Sequence, residues 1–398
     1  MILRRPQPPM TIGGSSPQQS ITISTIPPDC HRRLVIPRIL LVPALVLLLA
    51  AQPDTFDAIS QKAAAARDRN SLEEASGLYR QSLRLRPGWA DGWWSLGTLF
   101  YDRERFAEGR DAFRRFTALN PKAGPAFAML GLCEFKTREY NSALTHLTRG
   151  FELGLPPDDP LTISSITHQI LLLNQSQNYE RALLLLTMLS RRTEITPDLI
   201  AAAGIAGLRR PILPSAIVPE DRELVFKLGR ALLTAADRHA VEARPMFEEI
   251  VAAYPKTPNL HYTYGAFLLT NEPDLAVGEF QKELEIQPRH LPALVSLAME
   301  YLKRGEPAKA RPVAELAARI APDNFPARAA LGRTLVDLNE TEKGVRELEA
   351  AVKLAADSPQ VHLSLASAYA KLGRKQEAAR ERSEFARLKK LADAAQQQ

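Results

Sequence analysis

The residues of this chain that could do chemistry are seven histidines, two cysteines and a few adjacent pairs of acids. Their spacing argues against catalysis. His31, His146, His168, His239, His261, His290 and His362 are scattered, and no two stand at i, i+4. A His-Glu-x-x-His helix, which would put two zinc ligands on one face, is absent. So are a G-x-S-x-G elbow and a glycine-rich phosphate loop. Cys30 and Cys133 lie in unrelated contexts and give no framework for a disulfide or a metal. Glu73-Glu74 and Glu248-Glu249 sit on helical patterns whose other faces carry the apolar stripe, so they read as surface charges. Asp158-Asp159, between prolines and without further oxygen ligands nearby, reads as loop solvation and a cap for the next helix. A lone His261 on an amphipathic helix reads as packed or hydrogen-bonded. No catalytic residue, cofactor-binding residue or metal ligand is expected, and the chain reads as a non-enzyme.

What remains is architecture, and one stretch organises it. From Trp93 to Pro121 the chain reads as two short amphipathic helices joined by the polar turn Arg103-Glu104-Arg105. Trp93, Leu96, Gly97 and Phe100 recur at i, i+3, i+4 and i+7 on the first. Gly109, Phe113, Phe116 and Leu119 do so on the second, and Pro121 stops it. Gly97 and Gly109 read as points where two backbones approach closely, with Phe113 and Phe116 beside them. A hairpin of this size cannot bury both faces alone and needs neighbours of its own kind.

The pattern W-x2-L-G-x2-F, then G-x3-F, then Pro resembles the tetratricopeptide repeat, whose period is about 34 residues. One period carries Gly97 to Gly131, Trp93 to Phe127 and Phe113 to Leu147. Downstream, Leu297-Ala298, Leu331-Gly332 and Leu365-Ala366 keep the same register, as do Tyr301, Leu335 and Tyr369. The resemblance covers nearly everything after Thr55. It implies an all-α fold, a right-handed α-solenoid of stacked antiparallel helix hairpins.

Composition agrees with stacked helices. Aromatics are only 7% of the chain, and prolines such as Pro87, Pro121, Pro255, Pro288 and Pro322 punctuate the helical patterns. The net charge of +6 is modest, and no basic stripe interleaves with aromatics, so nucleic acid is not an expected partner. Residues 1–30 are rich in Pro, Ser, Gln and Thr and read as a disordered extension. Residues 31–51 place Arg32, Arg33 and Arg38 before an uncharged run from Ile39 to Ala51, the order of a signal peptide or membrane anchor. Export, with a periplasmic or membrane-anchored location, is expected on that pattern.

Two arrays follow, 52–196 and 221–398, the second closing on a charged capping helix. In the first, Leu161 to Arg192 is a degenerate pair, and its strongly apolar Ala182–Leu189 reads as a helix buried all round. Between the arrays, 197–220 breaks the period. Pro197 to Leu208 reads as a single helix capped by Thr196, and Pro211, Pro214 and Pro219 are expected to keep the following stretch extended. That stretch reads as a connector covering an unpaired helix, with occupation of the groove by Ile212-Leu213 as the alternative.

In the tetratricopeptide family the inner, concave face is lined by the first helix of each unit. On this chain the resemblance places Trp94, Thr98 and Tyr101 there, then Ala128, Leu132 and Phe135, with Phe226, Arg230 and Tyr262 further on. Such a face suits a helix or extended segment of another protein. Chaperone-binding members hold a terminal carboxylate with Lys and Asn at positions that here are Trp94, Thr98, Ala128 and Leu132, so that role is disfavoured. The expected function is a protein-interaction scaffold. The alternative is an accessory subunit of an envelope-assembly or glycan-handling complex, since exposed aromatics also suit sugars.

Overall fold

The computed structural model describes residues 55–157, 159–190 and 195–396, with side chains up to residue 394. The expected extension 1–30, the leader 31–51, Asp158 and the final Gln397 and Gln398 lie outside them. Among the described residues there are nineteen α-helices and no strand. The first hairpins are α1 (Phe56–Asp68) with α2 (Leu72–Leu85), α3 (Ala90–Asp102) with α4 (Phe106–Leu119), and α5 (Gly124–Lys136) with α6 (Tyr140–Glu152). Then come α7 (Pro160–Gln175) with α8 (Tyr179–Leu189), and α9 (Pro197–Gly207) alone. Pairing resumes with α10 (Pro219–Ala236) and α11 (Ala240–Ala253), then α12 (Leu260–Leu268) and α13 (Pro273–Ile286). The last three pairs are α14 (Leu291–Lys303) with α15 (Pro307–Ile320), α16 (Phe325–Asp337) with α17 (Thr341–Leu354), and α18 (Pro359–Lys371) with α19 (Lys375–Gln396). Each helix packs on the next in chain order, making an all-α solenoid of stacked hairpins.

Most first helices stop in the same way. The Arg105 amide donates to Phe100 O at 2.9 Å, Glu139 to Glu134 O at 2.8 Å and Glu340 to Leu335 O at 2.8 Å. Between donor and helix sits a left-handed residue: Glu104 (φ 56°), Arg138 (φ 65°) or Asn339 (φ 62°). This turn satisfies the last carbonyls of one helix and reverses the chain into the next.

α9 carries that same stop, since Arg210 donates to Ile205 O at 3.1 Å and Arg209 has φ 50°. No second helix follows it. Thr196 caps its start by accepting from the Leu199 amide at 3.2 Å, and every residue from Leu199 to Gly207 is buried. Its missing partner is replaced by α10. A Cβ on Gly204 would lie 1.9 Å from Val225 O, and one on Gly229 2.0 Å from Ile200 O, so the two helices meet backbone to backbone. The connector seals this seam: Ile212 and Ile217 pack on the core of α10–α13, and Leu213 on that of α7–α9.

Three expectations change. Pro219 opens α10 and Pro214 opens a short 3-10 turn, because proline lacks only an amide that the first helical turn leaves unpaired anyway. Pairing therefore resumes at Pro219 rather than at residue 221. α8 is not covered all round: Leu184 is 62% and Met188 41% exposed, and the fully enclosed helix is α9. Leu119 is 43% exposed, because ten residues at about 100° each leave it roughly a quarter turn from Gly109.

Candidate partner-binding face

Trp94, Thr98 and Tyr101 lie along α3, half-buried. The Trp94 ring meets Phe113 of α4 edge-on at 5.5 Å and Phe116 at 5.5 Å. Thr98 donates its hydroxyl to Trp94 O (3.2 Å) and Ser95 O (3.0 Å) of its own helix. Tyr101 packs edge-on against Phe106 at 5.5 Å. Burial, with smaller contributions from Cys133 and Asp102, raises its phenol above the ordinary range, so it remains an O–H donor. One repeat on, Phe135 of α5 meets His168 of α7 edge-on at 4.5 Å and Tyr140 at 5.6 Å. His168 Nδ1 donates to Ser164 O at 2.7 Å, and burial lowers its pKa, so the ring is neutral with Nε2 as an acceptor.

Leu132 does not reach this face. It is 2% exposed and packs with Ala143, Leu147 and Leu172, and Ala128 is 0% exposed. α5 is clamped by α6 on one side and α7 on the other, which covers positions that the terminal helix of an array would leave open.

The remaining residues gather at the seam. Phe226 of α10 packs against both large core clusters and carries the Arg222 guanidinium 5.3 Å over its ring. Arg230 of the same helix is exposed. Tyr262 of α12 is half-buried beside His290 (4.9 Å), with Arg209 5.7 Å over its ring. Burial raises the Tyr262 phenol and pushes His290 down to about 4. A cleft of about 480 Å³ opens here between α8, α9, α10 and α12, with Leu183, Leu232, Phe267, Tyr262, Arg209 and Arg238 in its walls. Periodicity could not find it, because it exists only through the pairing of α9 with α10. Tyr101 thus shares one core cluster with Trp94 and another with Phe135, and Phe226 and Tyr262 both pack against the large core around α10–α13.

A further cleft lies between α16 and α18. Arg333, Asp337, Ser364 and Ser367 line it with Leu363, and Lys371 Nζ reaches Val336 O at 3.1 Å and Asp337 at 3.6 Å.

The chemistry-bearing residues are otherwise engaged. Trp93 donates Nε1 to Pro87 O at 2.8 Å, holding the helix start to the preceding turn. Asp159 caps α7 by accepting from the Leu161 amide at 2.8 Å. Cys133 is buried, and burial pushes its thiol up to about 12. Glu248 and Glu249 pair with Arg244 and Lys227. Among the described residues no group of three or more His, Cys, Asp or Glu is placed to hold a metal, and no helix is long and apolar enough to cross a membrane.

No curated protein matches the chain. Among solved structures, a MamA fragment (41-end) from Desulfovibrio magneticus RS-1 is 23% identical, with a TM-score of 0.38 over 42% of this chain and 95% of that one. A further MamA crystal structure is 14% identical, with a TM-score of 0.37 over 41% of this chain and 96% of its own. Two family models, both described as tetratricopeptide repeat, match residues 275–394 and, in overlapping copies, 60–124 and 95–150. With those matches at both ends of the solenoid, the chain belongs to the tetratricopeptide repeat family and is built as a protein-interaction scaffold.

Proposed function

We propose that this scaffold is non-catalytic and grips a helix or extended segment of another protein on the first-helix face of its N-terminal hairpins. The observation that carries this reading is the set of partly buried rings Trp94, Tyr101 and Phe135, linked through shared core clusters. Each ring is fixed on one side by a neighbouring aromatic and only half-buried, so large, pre-ordered apolar area is offered at little further entropic cost. Phe226, Arg230 and Tyr262 extend the same face past the seam. Thr98, its hydroxyl already engaged, contributes shape rather than a free donor. We further propose that residues 31–51 carry the protein out of the cytoplasm or anchor it to the membrane, so that the partner is a protein of the envelope.

Crosslinking in cells from a photoreactive residue at position 98, followed by identification of what is captured, tests this. Trp94→Ala and Tyr101→Ala should each weaken capture about tenfold or more, the scale of an interface anchor. If both variants keep every partner of the parent chain, the face is wrongly assigned. Retention on immobilised glycan in place of protein capture would favour the carbohydrate-contacting alternative.

A further inference from the structure

The start of several first helices is tied to the turn before it through one side chain that donates to a carbonyl six residues upstream. In α12, α16 and α18 that side chain is also joined to a glutamate of the second helix. His261 contacts Pro255 O through Nε2 at 2.9 Å and Glu279 Oε2 through Nδ1 at 2.5 Å. His362 contacts Ala356 O through Nε2 at 3.0 Å and Glu381 Oε2 through Nδ1 at 2.6 Å. Arg328 does the same with a permanent cation, reaching Pro322 O at 2.7 Å and Glu347 at 2.6 Å. A carbonyl and a carboxylate are both acceptors, so each histidine needs both ring nitrogens protonated to satisfy the two at once. A neutral ring has one N–H and must release one of them.

We propose that His261 is a pH-sensitive clasp: protonated, it ties the first helix of its hairpin to the second helix and to the preceding turn, and deprotonated, it lets one of the two go. Arg328, two hairpins further along the array, is the same clasp without the switch. The surroundings leave the histidine as the group that changes. Around His261, α13 presents Glu279, Lys282 and Glu285 and the turn after α11 presents Lys256, while Val251 and Ala252 of α11 are apolar. For His261 the hydrogen bond to Glu279 holds the imidazolium above its ordinary range, against the opposing effect of burial. A histidine raised in the folded state contributes fully below its unfolded value of about 6.5, and the contribution is lost as pH rises through the folded value.

Hydrogen exchange on the full chain at pH 6 and pH 8.5, corrected for intrinsic rates, tests the proposal. In the parent chain the amides of α12–α13 should exchange several-fold faster at the higher pH, and those of α16–α17 should not. The variant His261→Arg should lose this response, and Arg328→His should create it in α16–α17. Equal pH response in parent and His261→Arg would overturn the proposal. Should His261→Arg fail to fold, Arg328→His decides alone: no new response in α16–α17 sinks the idea. Ring-nitrogen shifts showing one unprotonated nitrogen on His261 at pH 6 would do so as well.

Discussion

Two places where helices approach closely show different ways of building one solenoid. In the α3–α4 hairpin a Cβ on Gly97 would lie 2.8 Å from an edge carbon of the Phe113 ring. In the α9–α10 seam the atoms in the way are backbone carbonyls, at 1.9 Å from Gly204 and 2.0 Å from Gly229. A ring can tilt into neighbouring space; a carbonyl held in a helix moves only if the helix moves. At Gly97 the hairpin contact is therefore adjustable. The seam is a rigid one, as is the α5–α6 hairpin where a Cβ on Gly124 or Gly150 would meet backbone atoms at 2.5–2.9 Å, and in it a first helix lacking its partner is accommodated.

Gly229→Ala should have the largest effect, about 3 kcal/mol of destabilisation from overpacking against a backbone that cannot retreat. Denaturant unfolding followed by exchange in α9–α11 measures it. A cost equal to that of Gly97→Ala would erase the distinction drawn here. His261→Ala should cost about 2 kcal/mol, because it leaves the buried Glu279 with only Lys282 and the Pro255 carbonyl with no donor. Burial works to raise Glu279, but the hydrogen bonds from His261 and Lys282 prevail and hold it below the ordinary carboxylate range. Its contribution is therefore present above the unfolded carboxylate pKa and lost as pH falls through the lower folded value, which acid titration of α12–α13 exchange would follow. Gly97→Ala should cost about 1–2 kcal/mol, with Phe113 turning to make room. Smallest of all, Glu104→Gly should stabilise by about 0.5 kcal/mol, since it relieves a left-handed residue in an ordinary hairpin turn. A thermal midpoint that falls instead would show that Glu104 is held by more than its backbone.

The hairpins themselves were legible because their determinants are local. Leu96, Gly97 and Phe113, repeated one period on as Leu130, Gly131 and Leu147, carry the turn and stripe information within a few dozen residues. Pro219 misled, because proline looks the same in sequence whether it opens a helix or forbids one. Leu132 misled for another reason: its place on the first helix suits a face, but α6 and α7 close over it. Of the candidate residues, Trp94, Tyr101, Phe135, Phe226 and Tyr262 remain partly exposed. The cleft beside Tyr262 had no signal of its own.

The sequence by itself determined the repeating unit, its length, its turns and the family, since helix periodicity and hairpin closure act between near neighbours. It also determined that α9 stands outside the period. Only the tertiary structure decided what α9 does there. Its pairing with α10 depends on two glycines 25 residues apart meeting backbones across a gap that no local pattern encodes. The same holds for the clasps. A histidine's protonation follows from which acceptors folding brings to its two nitrogens, and those come from other elements of the chain.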